Sequence, residues 1–79
     1  MLKEIRIKVD KKTSIDDIIL HSLNIGYCVD LSKESYYMKA EYLLLDPNQC
    51  MKWCEEAIYI TALSYEEMTA KQFLEYRRK

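Results

Sequence analysis

Glycine, proline and histidine occur once each in these 79 residues, as Gly26, Pro47 and His21. Glycine is what lets a backbone approach a ligand closely, so with Gly26 alone neither a Gly-rich dinucleotide loop nor a phosphate-binding loop can be written. A nucleophile–base–orienter triad would have to recruit His21, which stands inside an apolar helical pattern. Enzymatic activity and cofactors are therefore not expected, and binding is the default. No apolar run approaches the ~20 residues that a membrane-spanning helix needs. Met1-Leu2-Lys3-Glu4 is charged where a secretory signal would become apolar. Three cysteines make neither an even disulfide framework nor the short-spaced pairs of structural zinc. His21, Cys28, Cys50 and Cys54 would suit a tetrahedral zinc ion in number. Cys50, however, falls in the middle of an apolar stripe, where a free cysteine behaves as a small hydrophobe. The expectation is that Cys50 and Cys54 are reduced, buried and metal-free, in a cytoplasmic protein.

What is present is enough for one small domain spanning residues 1–79, with 49% hydrophobic and 32% charged residues. Such a chain buries roughly 60–65% of its unfolded surface, a marginal core that leaves room for a homodimer. The net charge of −1 conceals a segregation. Residues 1–12 carry five bases against two acids and residues 71–79 four against one, whereas residues 13–70 carry three against ten. Two basic ends thus flank an acidic body, and they would make one basic patch if they met in space.

Leu2 to Asp10 alternates, with Ile5, Ile7 and Val9 on one face and Glu4, Arg6, Lys8 and Asp10 on the other, as in a half-buried strand. Thr13 stands as an N-cap before Ile15, Ile18 and Ile19, a spacing that Leu23 could extend, and Gly26 as a stop, which predicts a helix from about residue 14 to 24. Tyr27, Val29 and Leu31 share the face of a short strand. Residues 33–45 read equally as a helix, with Tyr36, Ala40, Leu43 and Leu44 on one side, or as a strand with Tyr36, Met38, Ala40, Tyr42 and Leu44 alternating. Asp46-Pro47 matches an N-cap followed by proline at the first helical position, and Cys50, Trp53, Cys54, Ala57 and Ile58 form a stripe behind it. Ser64-Tyr65-Glu66-Glu67 matches a capping box for a further helix. The expected class is α+β and helix-rich: an N-terminal strand, a helix, the ambiguous strand-or-helix segment and a C-terminal helical hairpin. One long helix over residues 47–78 is the competing reading of that last part.

Two resemblances bear on this. The opening strand, the helix after it and the run Leu31-Ser32-Lys33-Glu34-Ser35-Tyr36-Tyr37 resemble the ribbon–helix–helix repressors over about residues 3–45. The resemblance implies a dimer whose paired strands enter the DNA major groove, with Glu4, Arg6 and Lys8 on the reading face. The segment from Gly26 to Ser32 is longer than that family's tight turn, and the acidic middle opposes the phosphate term of DNA affinity. Leu45-Asp46-Pro47-Asn48 with Trp53, Ala57 and Phe73 looks like one tetratricopeptide unit and implies a helical hairpin.

Tyrosine supplies seven of the nine aromatic residues. A buried tyrosine hydroxyl needs a partner, so some of the seven should lie at a surface, where aromatics anchor interfaces. The leading expectation is a small non-enzymatic regulator or inhibitor, of the kind that phages and mobile elements encode, which binds another protein. Tyr37, Tyr42, Trp53, Tyr59 and Tyr65 are the anchor candidates, and Glu55 and Glu56 would steer a basic partner surface. In one version the partner is a nucleic-acid-binding protein. The alternative is the dimeric DNA-binding regulator, in which Glu4, Arg6 and Lys8 make the contacts.

Overall fold

The alternation at the start of the chain becomes strand β1 (Ile5–Lys8), whose two isoleucines are fully buried. A computed structural model describes residues 2–54 and 64–77. Along them follow α1 (Ile15–Asn24), a 3₁₀ turn (Leu31–Lys33) running into α2 (Glu34–Tyr37), β2 (Tyr42–Asp46), β3 (Gln49–Cys54), β4 (Glu66–Thr69) and α3 (Ala70–Glu75). The strands form one mixed sheet in the order β3-β2-β1-β4. Antiparallel β2 sets Leu45 opposite Ile5 and Leu43 opposite Ile7, and parallel β4 sets Met68 beside Ile7. The two-residue period then gathers these side chains on one face. Ile18 and Ile19 of α1, Tyr37 of α2 and Phe73 of α3 complete the core there.

Local chemistry explains the ends of α1. Asp10 Oδ1 accepts the backbone N–H groups of Lys12 at 2.9 Å and Thr13 at 2.7 Å. That turn moves the N-cap from Thr13 to Ser14, whose side chain makes no cap hydrogen bond. Asp16 and Asp17 lie in the first turn, where carboxylates complement the helix dipole. Ser22 is fully buried but satisfied, donating to the Ile18 carbonyl at 2.7 Å. Gly26, at φ 107°, takes the chain out of the helix in a conformation that favours glycine.

The helix-rich architecture and its C-terminal hairpin are overturned. Residues 33–45 hold both alternatives in succession, α2 and then β2. Asp46 does not cap a helix: its Oδ1 accepts the Asn48 N–H at 2.8 Å, and β3 returns antiparallel to β2. Proline suits the second position of such a turn as well as the first of a helix, and here β2 supplies the pairing partner. The tetratricopeptide-like hairpin fails with this turn; its Ala57 lies outside the described residues. Ser64 starts no helix either, because Glu66–Thr69 pairs with β1. A second capping box opens α3 instead: Thr69 Oγ1 accepts the Gln72 N–H at 3.1 Å, and Gln72 Oε1 accepts the Thr69 N–H at 2.9 Å. The expected strand at Tyr27–Leu31 is absent; this segment lies along edge strand β3, with the Met51 N–H donating to the Cys28 carbonyl at 2.8 Å.

Cys28 and Cys50 are joined by a disulfide, their Cα atoms 4.4 Å apart, and Cys54 is a buried free thiol. The expectation for Cys50 fails because it sits exposed in an edge strand beside Cys28, not on a helical stripe. One pair plus one thiol removes the odd-count argument for a reducing compartment. Among the described residues no helix is long and apolar enough to cross a membrane.

Candidate interaction surface

The aromatic anchor candidates scatter. Tyr37 is fully buried and its hydroxyl donates to the Met51 carbonyl at 3.1 Å, so it is a core residue and no anchor. Burial pushes its pKa up. Tyr42 lies half-buried on the sheet face opposite the helices, with the Arg6 guanidinium 5.7 Å from its ring centre. Tyr65 is half-buried and donates to Asp46 Oδ2 at 3.2 Å; burial first, and then the Asp46 charge, push its pKa up to about 12. Trp53 alone joins a cluster, stacked on Tyr36 at 4.9 Å and meeting the edge of Tyr37 at 5.9 Å. Glu55, Glu56 and Tyr59 lie outside the described residues.

The ribbon geometry is not available. β1 is hydrogen-bonded to β2 on one side and β4 on the other, so it has no edge for a second copy. Arg6 pairs with Glu67 across to β4, Lys3 pairs with Glu66 at 2.9 Å, and Lys8 and Glu4 are exposed. The two ends of the chain do meet, since Lys3 lies 4.9 Å from the Tyr76 ring. The β4 carboxylates neutralise much of the patch that the charge segregation predicted.

The surface with a different character is the solvent side of the helical layer. Among the described residues the exposed large hydrophobics are Leu20 and Leu23 of α1 and Leu31, Tyr36 and Met38 around α2. Leu20, Leu31 and Met38 are 59%, 62% and 65% exposed. Scattered apolar residues on a surface mean little, whereas a group on two neighbouring elements points to contact. Leu20 and Leu23 turn outward because Ile15, Ile18, Ile19 and Ser22 occupy the inner arc of the 3.6-residue period.

Two features relate α1 to the α2 segment. Met38 lines a cleft of about 570 Å³ with Val9, Lys11, Ile15, Asp16, Ala40 and Glu41. Asp16 raises the pKa of the exposed Glu34 carboxyl, through hydrogen bonding first and then through its charge. α1 contains no lysine or arginine, and among the described residues neither Asp16 nor Glu34 has an ion-pair partner. Helical spacing sets Leu23 with Ile15, Ile18 and Ile19, yet it is 42% exposed, and the exposure of Leu31, Tyr36 and Met38 likewise comes from the fold.

On the α3 side, His21 Nε2 is 2.8 Å from the Tyr76 carbonyl and its ring meets Phe73 edge-on at 5.0 Å, a packing role that holds α3 on α1. Among the described residues no three His, Cys, Asp or Glu side chains converge as metal ligands would. Comparison with protein-family models, curated proteins and solved structures returned no match to this chain.

Proposed function

We propose that this protein is a small regulator or inhibitor that acts by binding another protein through the solvent side of its helical layer. The observation that carries the reading is the exposure of large hydrophobics on the helical segments, Leu20 and Leu23 of α1 and Leu31, Tyr36 and Met38 in and beside α2. Removing such a surface from water stabilises a complex by roughly 25 cal/mol per Å² of apolar area before the costs of association. The Trp53 stack holds Tyr36 in place, so this aromatic reaches an interface with little rotamer entropy left to lose. Relative to the sequence reading, Tyr36 replaces Tyr37 as the anchor, and Trp53 becomes its support.

The test is affinity capture from the native host, with and without nuclease, using the parent and a Leu20→Ser/Leu31→Ser variant whose unfolding midpoint has been checked. The expected result is a partner that survives nuclease and is lost with the variant. A partner retained equally by both proteins, or released by nuclease alone, would remove this reading.

A further inference from the structure

We propose that the Cys28–Cys50 disulfide is a site of thiol–disulfide exchange with dithiol reductants, a redox latch that holds the segment around Cys28 over the outer edge of β3. The proposal is independent of the protein-binding reading.

Access comes first. Both cysteines of the pair are exposed, whereas Cys54, further along the same strand, is buried as a free thiol. Exchange needs a thiolate to reach a disulfide sulfur, so a bond at the surface reacts from the native state and one in a core waits for unfolding. Alternation explains the placement. Tyr27 and Val29 are buried and leave Cys28 between them outside, and in β3 buried Met51 leaves Cys50 and Lys52 outside.

What the bond secures is the second observation. β3 is an edge strand, paired with β2 on one side only. On its other side the Met51 N–H donates to the Cys28 carbonyl at 2.8 Å, and the Met51 carbonyl accepts the Tyr37 hydroxyl at 3.1 Å. An uncovered strand edge is a template for pairing with another chain, and proteins commonly shield it. Residues 27–30 have no regular secondary structure of their own, so the disulfide is what fixes the Cys28 carbonyl beside Met51. The segment has further anchors in the core: Tyr27, whose hydroxyl donates to the Lys3 carbonyl, then Val29 and Tyr37. These stay in place when the bond opens, which confines the change to the strip between Cys28 and β3.

The exchange balances within the pair and the reductant. One thiolate of the dithiol attacks a sulfur of the pair, a mixed disulfide forms as the Cys28–Cys50 bond breaks, and the departing thiolate takes up a proton. The second thiol of the reductant then closes that reagent's own disulfide and frees the other cysteine. Two electrons and two protons pass from the dithiol to the protein, and an oxidised dithiol runs the step backwards.

The test uses the full folded chain with dithiothreitol as the dithiol and no denaturant, with timed alkylation of thiols and mass mapping of each cysteine. Cys28 and Cys50 should become labelled together, about tenfold or more faster than buried Cys54. In ¹⁵N spectra the shifts between oxidised and reduced protein should concentrate in residues 27–33 and 49–53 and leave β1 and β4 unchanged. The Cys28→Ser/Cys50→Ser variant should show the reduced pattern, and oxidised dithiothreitol should restore the bond in the parent. Labelling of all three cysteines at one rate overturns the proposal, because reduction then requires unfolding and the bond is a structural staple. A bond that resists dithiothreitol until denaturant is added overturns it too, and so does a reduced protein whose Met51 amide shift is unchanged. The labelling comparison needs no substitution, so a variant that fails to fold does not decide it.

Discussion

Tyr36 and Tyr37 are neighbours in sequence with opposite environments, and truncating each to alanine should separate core from surface cleanly. Tyr37 is 0% exposed and packs among the core residues, whereas Tyr36 is 45% exposed and touches the fold chiefly through Trp53. Removing a buried aromatic ring costs about 3–5 kcal/mol. A chain of 79 residues has a total stability of about 4–12 kcal/mol at ordinary values per residue. Tyr37→Ala should therefore leave the protein close to unfolded. Tyr37→Phe keeps the ring and removes the hydroxyl that donates to the Met51 carbonyl, so it should cost about 1 kcal/mol. In thermal unfolding that is a fall of roughly 4–8 °C. Tyr36→Ala loses a ring stack and partial burial, about 1 kcal/mol or less. Urea unfolding followed by far-UV circular dichroism is the deciding assay, with Trp53 fluorescence in parallel. The fluorescence alone would mislead, because Tyr36 stacks directly on the indole. If Tyr37→Ala costs no more than Tyr36→Ala, the packing of α2 onto β3 described above is wrong.

Three further outcomes can be checked in the same preparations. Unfolding without reductant should expose one titratable thiol and after reduction three, and loss of the Cys28–Cys50 bond, which closes a 22-residue separation, should cost about 3 kcal/mol of stability. Glu34→Gln should raise the melting temperature near pH 7: Asp16 raises the folded-state pKa of Glu34, so the parent loses stability as pH rises through the carboxylate range, and the two proteins should converge in acid. An ultraviolet titration should show Tyr27 and Tyr65 ionising near pH 12, after exposed tyrosines, so stability should fall as pH rises from about 10 towards 12, where the unfolded chain ionises first.

The parts of the fold that were legible in the sequence are those whose signal is local. Period two in Ile5, Ile7 and Val9 and the cluster of Ile15, Ile18 and Ile19 before Gly26 specify β1 and α1 without reference to the rest of the chain. The misreadings share one cause. Cys50, Trp53 and Cys54 match a helical stripe, but Met51 and Trp53 equally match a strand. Asp46-Pro47-Asn48 serves a turn as readily as a cap. Ser64 and Thr69 both begin capping boxes, and only Thr69 uses one. In each case the winning conformation is stabilised by a strand that the local window does not contain. β2 does this for β3, and β1 for β4.

The candidate surface divides along the same line. The sequence by itself determined the scarcity of glycine and histidine and the acidic middle of the chain. Only the tertiary structure decided that Tyr37 is core and Tyr36 surface, that β1 has no free edge, and that Cys50 meets Cys28. It also decided that Leu20, Leu23, Leu31 and Met38 are exposed. Helical and strand periodicity fixes which side of its own element a residue occupies, whereas packing between distant elements fixes whether that side meets protein or water.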